Sequence, residues 1–299
     1  MNTKQPQPLQ KGDIVAIVAT ARKINRKELQ FAVELLENWG LNVVFGKTIG
    51  LDCDQYAGED ADRIIDFQQA IDDASIKAIW CARGGYGTVR MIDAIDFSNF
   101  IENPKWVIGF SDPTVIHSHL HTLGVQTLHA IMPITVEKAT DDAKNSLKNA
   151  LLGKANTYEV LGHSSNKKGA GIGELVGGNL SVLYSLLGSK SAITTDGKIL
   201  FIEDLDEYLY HIDRMILNLK RNGYLNNLKG LIVGGMTKMH DNTIPFGKNA
   251  KEIILDAVSD YNYPVCFDFP AGHMRDNRCL IFGRQVTLNV GGIVTLEEI

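Results

Sequence analysis

Short apolar runs alternate with amphipathic segments in the first half of the chain. Ile14 to Ala19 is an apolar run of strand length, and Lys27 to Trp39 repeats its apolar residues on one helical face before Gly40 ends it. The same pattern predicts a helix at Ala61 to Ile71 and strands at Val43 to Phe45, Lys77 to Cys81, Trp106 to Phe110 and Val125 to Leu128. Strands that are apolar on both faces and alternate with helices are typical of a parallel sheet covered on both sides.

The second half has a different pattern, richer in strand pairs than in alternating units. It predicts one helix, Glu207 to Asn222, and strands at Lys198 to Glu203, Leu231 to Val233, Val265 to Phe267, Leu280 to Phe282, Val286 to Val290 and Ile293 to Leu296. Gly291-Gly292 between the last two strands is a two-residue hairpin signal. This half is therefore predicted to be a smaller mixed α+β domain.

A polar stretch separates the two patterns. From Thr135 to Lys168 the sequence is polar, and it contains one predicted surface helix, Ala143 to Leu152. We therefore predict an α/β fold with a parallel-sheet, Rossmann- or flavodoxin-like domain at 1–150, a linker at 151–168 and the α+β domain at 169–299.

Composition excludes several classes of function. The 299-residue chain has a net charge of -5 and no stripe of Lys and Arg, so it lacks the electrostatic footprint of a nucleic-acid-binding protein. No apolar run approaches a membrane span or the core of a signal peptide, which predicts a cytoplasmic protein without a membrane partner. The four cysteines form no C-x-x-C pair, and Cys81 is better interpreted as a buried strand residue than as a nucleophile.

Two loops are expected at the carboxyl ends of the parallel strands, where such sheets bind ligands. One loop, Ala82 to Gly87, has three glycines that can expose backbone N–H groups, with Arg83 and Tyr86 beside them. The other is the corner at Ser111, where the Trp106–Phe110 strand meets a helix that begins at Asp112-Pro113. A serine there can be a nucleophile beside free N–H groups, or it can simply cap the helix.

A nucleophilic serine needs a base. His117, His119 and His121 follow on the helix and point along it; the i,i+4 pair lacks the glutamate of a metal motif, so packing or solvent contact is the default. His273 lies in the turn-rich loop from Asp268 to Asn277, where function is common, although an exposed loop histidine is the simpler interpretation.

A carboxylate must orient such a histidine, and the sequence offers several. Glu203 stands at the end of a predicted strand, but Asp204, Asp206 and Glu207 crowd it, and spacing alone does not choose among them. The glycine-rich segment 169–180 does not match G-x-G-x-x-G and follows a polar stretch, so it indicates close packing, and we expect no cofactor and no metal.

Five motifs occur together, in order, between about Gly12 and Phe282. They are Arg83-Gly-Gly-Tyr-Gly87, Gly109-Phe-Ser-Asp112, Gly177-Gly-Asn-Leu180, Phe201-Ile-Glu-Asp204 and Gly272-His273. In this the chain resembles the LD-carboxypeptidase family of serine peptidases, the muramoyl-tetrapeptide carboxypeptidases. Two positions are notable: Phe110 stands where a tyrosine is common in that family, and Pro113 stands where an α/β-hydrolase would have glycine.

The resemblance implies a Ser-His-Glu triad of Ser111, His273 and Glu203, contributed by both halves of the chain. It also implies an oxyanion hole from the backbone N–H groups of Gly85 and Asp112. The implied activity is removal of the terminal D-alanine from murein tetrapeptides during cell-wall recycling, by a cytoplasmic homodimer whose partner is a small murein peptide.

Three residues are expected to contact the substrate, namely Arg83, Tyr86 and Asn179. Arg83 is chosen because a guanidinium can hold the substrate's free carboxylate with two parallel hydrogen bonds. Two alternatives stay open: an immunity peptidase that cleaves aminoacyl-nucleotide antibiotics of the microcin C type, and a non-catalytic two-lobed binding protein.

Overall fold

The computed structural model describes residues 3–299, which form two compact units. The first unit runs to Lys154 and includes Arg275–Gly283; the second unit comprises Ala155–Met274 and Arg284–Ile299.

Thirteen strands occur in the described residues. They are β1 (Ile14–Val18), β2 (Asn42–Phe45), β3 (Ile76–Cys81), β4 (Trp106–Gly109), β5 (Thr127–His129), β6 (Thr157–Leu161), β7 (Gly169–Asn179), β8 (Ile199–Leu205), β9 (Gly230–Thr237), β10 (Val265–Cys266), β11 (Leu280–Phe282), β12 (Gln285–Val290) and β13 (Ile293–Glu298).

Nine α-helices occur in the same residues. They are α1 (Gln30–Asn38), α2 (Asp60–Asp72), α3 (Thr88–Met91), α4 (Ser98–Glu102), α5 (Thr114–Thr122), α6 (Asp141–Leu151), α7 (Leu180–Ser185), α8 (Leu209–Arg221) and α9 (Ala250–Ala257). Short 3-10 turns lie at Arg26–Leu29, Ile92–Ala94 and Pro133–Lys138.

The first unit is built on a six-stranded sheet of order β11-β5-β4-β3-β1-β2. Strands β1 to β5 are parallel, as the apolar runs predicted, and the side chains of Trp80 and Trp106 are fully buried in its core. Because β1, β3 and β4 are neighbours and parallel, the loops after them gather at one edge of the sheet. Those loops include the glycine loop and the Ser111 corner.

The second unit contains a seven-stranded mixed sheet of order β10-β9-β8-β7-β12-β13-β6. The first four strands are parallel, and β7, β12, β13 and β6 pair antiparallel in succession. The hairpin predicted at Gly291-Gly292 is confirmed by the β12–β13 pairing. The amphipathic helix α8 buries Ile212, Met215, Ile216 and Leu219 in this unit's core. The predicted combination of a parallel-sheet half and a mixed α+β half is thus confirmed.

Two segments differ from the predicted division of the chain. The stretch 151–168, predicted to be a linker, contains β6, which pairs with β13 inside the second unit. Leu280–Phe282, assigned with the second half, is instead an antiparallel edge strand beside β5 in the first sheet. Pairing between strands about 150 residues apart leaves no local trace in the pattern of apolar residues, so the sequence could not assign this strand to its sheet.

The glycine-rich segment is itself a strand, the 11-residue β7. A Cβ atom at Gly171 would lie 1.8 Å from the carbonyl oxygen of Lys229, and one at Gly177 would lie 1.9 Å from that of Phe201. Neighbouring backbone therefore fills the space that side chains would need, as close packing predicted. No helix in the described part of the chain is long and apolar enough to cross a membrane.

Candidate active site

Ser111 occupies a strained corner of the first unit. Strand β4 ends at Gly109 and α5 begins at Thr114, and between them Ser111 has φ +66°, in the left-handed region that non-glycine residues seldom adopt. The N–H of Thr114 donates to the Ser111 carbonyl at 2.9 Å, which closes the turn into the helix. Backbone strain of this kind is found most often at functional sites. The sequence predicted the corner but not the strain.

The glycine loop lies directly against this corner. A Cβ atom on Gly84 would lie 3.1 Å from Ser111 Cβ and 3.2 Å from its Oγ, so a side chain there would press on the serine. Gly85 has φ +123°, and a Cβ atom there would lie 2.6 Å from the Arg22 side chain. Gly84 therefore lets the loop run this close to Ser111, and Gly85 supplies the positive φ of the loop beside Arg22.

The Asp112 side chain joins the corner to the end of the glycine loop. Its buried Oδ2 accepts hydrogen bonds from Thr88 N at 2.9 Å and from Thr88 Oγ1 at 2.6 Å. Burial raises the pKa of Asp112, while the hydrogen bonds from Thr88 and from the Gly87 backbone oppose part of that rise. Sequence reasoning assigned only the backbone N–H of Asp112 and missed its side chain.

His117, the first of the three helix histidines, has a structural explanation. His117 is buried and its Nε2 donates to the Gly109 carbonyl at 2.9 Å; burial lowers its pKa to about 4, although the Gly109 hydrogen bond favours the charged form. Cys81 is also buried, and burial raises its thiol pKa to about 12. Within residues 3–299, no cluster of three or more His, Cys, Asp or Glu could hold a metal ion.

In the second unit, Glu203 and His273 form a hydrogen-bonded pair. The Glu203 carboxylate is fully buried, and its Oε2 accepts from His273 Nδ1 at 2.7 Å and from the His273 backbone N–H at 3.1 Å. Gly272 has φ +104°, and a Cβ atom there would lie 2.6 Å from the same Oε2. The absence of a side chain at 272 lets the loop bring His273 onto the carboxylate.

The loop that carries His273 is fastened to strand β9. Phe269 N donates to the Val233 carbonyl at 3.1 Å, and Gly235 N donates to the Ala271 carbonyl at 3.0 Å. The β8–β9 pairing shifts register between Ile202 and Asp204, and such irregularities re-aim side chains near functional sites.

A second carboxylate and an amide lie beside Glu203. Asn179 Nδ2 donates to Glu203 Oε1 at 3.2 Å and to Asp204 Oδ1 at 3.0 Å. The N–H of Ser181 donates to Asp204 Oδ2 at 2.9 Å. Burial, and then the charge of Glu203, raise the pKa of Asp204 to about 7. Sequence reasoning did not foresee this buried network; the order Asn-Leu-Ser after a glycine-rich strand, typical of a helix cap, was the available signal.

The neighbouring acids have other partners, so the structure distinguishes among the four carboxylates. Asp206 lies 2.6 Å from His240 Nε2, and Glu207 lies 2.6 Å from His211 Nδ1. Of the four carboxylates, it is Glu203 that accepts the hydrogen bond from His273 Nδ1.

Glu203 also raises the pKa of His273. Burial by itself lowers the pKa of His273, but the charge and hydrogen bond of Glu203, with the charge of Asp204, outweigh it and the pKa is raised. A carboxylate that stabilises an imidazolium in this way is what a general base requires of its partner.

The three expected substrate contacts have different surroundings. Arg83 Nη1 donates to the Lys23 carbonyl at 3.2 Å, and Tyr86 is 46% exposed with its ring 6.3 Å from that of Tyr56. Asn179 is only 4% exposed and its Oδ1 accepts from Val182 N, which caps α7. This geometry favours a supporting role for Asn179, while Arg83 and Tyr86 stay predictions as ligand contacts.

Comparison with known proteins gives the chain a family. The model of the LD-carboxypeptidase N-terminal domain matches residues 15–130, and that of the LD-carboxypeptidase C-terminal domain matches residues 172–288. A Bacillus subtilis relative, named probable murein peptide carboxypeptidase, is 35% identical over 95% of this chain and 91% of its own length.

More distant relatives extend the comparison. The crystal structure of muramoyltetrapeptide carboxypeptidase from Oxalobacter formigenes is similar with a TM-score of 0.85, at 25% identity, over 95% of this chain and 98% of that one. The microcin C7 self-immunity protein MccF of Escherichia coli is 24% identical over 94% of this chain and 92% of its own length. Since the two domain models together match most of the chain and a relative above 30% identity covers 95% of it, the chain belongs to the LD-carboxypeptidase family and is a serine peptidase.

Proposed function

We propose that this peptidase hydrolyses the amide before the terminal D-alanine of murein tetrapeptides, with Ser111 as nucleophile, His273 as general base and acid, and Glu203 as the residue that orients His273. The observation that carries the proposal is the bond between Glu203 Oε2 and His273 Nδ1, 2.7 Å long, on a fully buried carboxylate. It commits Nδ1 to the carboxylate, so proton transfer falls to Nε2.

In acylation, Ser111 Oγ attacks the carbonyl carbon of the scissile amide while His273 Nε2 takes the hydroxyl proton. The oxyanion that forms is held by the backbone N–H groups of Gly85 and Asp112. His273 then gives its proton to the departing nitrogen, and D-alanine leaves. The negative charge of Glu203 stabilises the imidazolium in between, which agrees with the raised pKa of His273.

In deacylation, His273 activates a water molecule that attacks the acyl-serine ester, and the same N–H groups stabilise the second oxyanion. Collapse of this intermediate releases the tripeptide and returns the proton to Ser111. Ser111 belongs to the first unit and the Glu203–His273 pair to the second, so the mechanism requires both units.

The free carboxylate of the terminal D-alanine needs a cation. Arg83 directly precedes the two glycines that approach Ser111, which supports its assignment to that carboxylate. Tyr86, exposed in the same loop, would contact the peptide.

The decisive experiment is release of D-alanine from purified murein tetrapeptide by the wild type and by Ser111→Ala. We expect turnover by the wild type and a loss of at least about 10⁴-fold in the variant, since removal of a triad serine leaves only binding and oxyanion contributions. Full activity of Ser111→Ala would overturn the assigned nucleophile, and absence of D-alanine release by the wild type would overturn the substrate.

The relationship to MccF supports a second candidate, cleavage of aminoacyl-nucleotide conjugates. The higher identity to a murein peptide carboxypeptidase favours the murein substrate. Comparing kcat/KM for tetrapeptide with that for an aspartyl-adenylate analogue discriminates the two. A non-catalytic binding protein is the weakest alternative for a member of a peptidase family, and covalent labelling of Ser111 by a fluorophosphonate tests it.

A cytoplasmic location and a homodimer complete the proposal. Cell fractionation tests the location, and light scattering on the eluting protein tests the dimer.

A further inference from the structure

We propose that the Asp112 side chain is a positioning residue that fixes the glycine loop, through Thr88, at the spacing from the corner that oxyanion binding needs. The inference rests on the proposed function, because it concerns the N–H groups of Gly85 and Asp112.

The two proposed donors lie on separate segments of the first unit. Gly85 belongs to the loop after β3, and Asp112 to the corner after β4. Thr88 begins α3 directly after the loop, and both its backbone N–H and its hydroxyl donate to Asp112 Oδ2, at 2.9 and 2.6 Å. One carboxylate oxygen therefore joins the segment that carries one donor to the residue that carries the other.

The middle of the loop between these points is conformationally free, so contacts at its ends matter for its path. Gly85 and Gly87 both adopt positive φ, +123° and +153°, and glycine has the greatest conformational freedom of any residue. Gly85 and Tyr86 are exposed, whereas Thr88 and Asp112 are buried. The Asp112 carboxylate, which accepts from the Gly87 backbone and from Thr88, is thus the anchor nearest to Gly85 on its C-terminal side.

Thr20 extends the anchor to a third strand. Thr20, two residues after β1, is buried and its Oγ1 lies 3.1 Å from Thr88 Oγ1. The carboxyl ends of β1, β3 and β4 are joined at this point. Because misplacement of a catalytic group by about 1 Å can cost about 100-fold in rate, an anchor of this kind acts on the chemical step more than on substrate binding.

The first unit contains a matched control for this arrangement. Thr48 donates to buried Asp66 Oδ2 through its N–H at 2.9 Å and its hydroxyl at 2.5 Å, the same pattern at the loop after β2. None of the proposed catalytic or binding residues lies in that loop. Thr48 Oγ1 also accepts from Ala19 N at 2.9 Å, as Thr88 Oγ1 also contacts Thr20. A threonine-to-valine change at 48 therefore removes a comparably bonded buried hydroxyl away from the proposed donors.

The experiment compares Thr88→Val, Thr88→Ser and Thr48→Val in tetrapeptide turnover. We expect Thr88→Val to lower kcat about 10- to 100-fold with KM within about threefold, because the Gly85 N–H is displaced while Arg83, at the other end of the loop, keeps its hydrogen bond to the Lys23 carbonyl. Thr88→Ser keeps the hydroxyl and should retain most of kcat. Thr48→Val should keep kcat within about twofold even where its thermal stability falls as much as that of Thr88→Val. Asp112→Asn, which keeps the backbone N–H of residue 112, should lower kcat in the same direction as Thr88→Val.

Two binding measurements separate positioning from general damage. The affinity for a boronate analogue of the tetrapeptide, which forms a tetrahedral adduct, should fall in parallel with kcat/KM in Thr88→Val. The dissociation constant of tetrapeptide itself, measured in a Ser111→Ala background, should change by no more than about threefold on adding Thr88→Val.

Equal loss of kcat in Thr88→Val and Thr48→Val, or wild-type kcat in Thr88→Val or Asp112→Asn, would overturn the inference. A loss of kcat/KM in Thr88→Val that comes entirely from a higher KM would also overturn the inference. Turnover by Ser111→Ala would instead overturn the proposed function, so the two failures are distinguishable.

Discussion

The serine corner and the Glu203–His273 pair solve the same problem in different ways. At the corner, the constraint lies mainly in the backbone: Ser111 has φ +66°, Gly84 leaves room for the neighbouring loop, and one side-chain contact, Asp112 with Thr88, joins the two segments. At the pair, geometry is held by side chains, because a fully buried carboxylate accepts from the ring and the N–H of His273. The serine corner is therefore destabilised by backbone strain, whereas the Glu203–His273 pair carries the free-energy cost of burying charge.

This difference has a consequence for how each half responds to mutation. Relieving backbone strain can stabilise the protein while it removes function, whereas weakening a buried charge pair changes the pH dependence of the same groups. Four predictions test the contrast, in order of decreasing effect.

The largest effect is expected at Ser111, with glycine and alanine as the matched pair. Both substitutions remove the hydroxyl and should lower kcat at least about 10⁴-fold. Ser111→Gly should also raise the free energy of unfolding by up to about 1 kcal/mol, because glycine adopts positive φ without strain, while Ser111→Ala keeps the strain. D-alanine release and urea unfolding measure the two effects. Equal stability of the two variants would show that the corner is not strained.

Glu203→Gln should lower kcat by about 10³- to 10⁴-fold, because an amide no longer stabilises the imidazolium and can select the wrong ring tautomer. In the wild type the raised pKa of His273 places the acidic limb of kcat/KM above the ordinary histidine value, since the base must be neutral. Losing the Glu203 charge should move that limb to lower pH. The control is Glu207→Gln, which alters the equivalent pair with His211 and should leave kcat and the limb unchanged. An unmoved limb in Glu203→Gln would contradict the pairing.

Gly272→Ala tests the close approach of the loop to the carboxylate. A Cβ atom 2.6 Å from Glu203 Oε2 must displace His273, so kcat should fall about 10- to 100-fold and stability by about 1 to 3 kcal/mol. Gly247→Ala is the control, because Gly247 has φ +85° but nothing within 4 Å of an added Cβ. It should share the backbone strain and keep kcat. Similar kcat for both alanine variants would mean that the crowding at 272 has no bearing on catalysis.

The smallest effect on activity is expected at Asp204. Its folded pKa, about 7, lies above the ordinary value of 3.8, so its contribution to stability is complete below about pH 4 and is lost as pH rises through 7. The unfolding free energy of the wild type relative to Asp204→Asn should therefore fall by on the order of 4 kcal/mol between pH 4 and 8. Denaturant titrations at several pH values measure this difference, and a flat profile would contradict it. In Asp204→Asn the acidic limb of kcat/KM should lie at slightly lower pH than in the wild type, because the Asp204 charge also raises the His273 pKa.

The serine corner is the feature that the sequence predicts best, because the residues that indicate it are adjacent in the chain. An apolar strand, a serine and an Asp-Pro helix start are consecutive, and the glycine loop also follows its strand directly. The sign of φ at Ser111 and the contact between Asp112 and Thr88 depend on how two strands lie side by side, which no local pattern records.

The Glu203–His273 pair is harder to predict from the sequence, because its two residues are 70 positions apart. Spacing in the sequence does not choose among Glu203, Asp204, Asp206 and Glu207. The position of the His273 loop on β9 shows that Glu203 accepts the hydrogen bond from His273. The strand β7 was also missed, since glycine has low strand propensity and its use there reflects backbone crowding rather than pattern.

The edge strand β11 limits how this chain can be recombined with its relatives. Since Leu280–Phe282 completes the first sheet, the chain passes between the units after Lys154, after Met274 and again after Gly283. A chimera that exchanges only the segment up to Lys154 would set a β5 edge from one parent against a β11 from the other. A transplant of the first unit must therefore carry the short Arg275–Gly283 insert along with it.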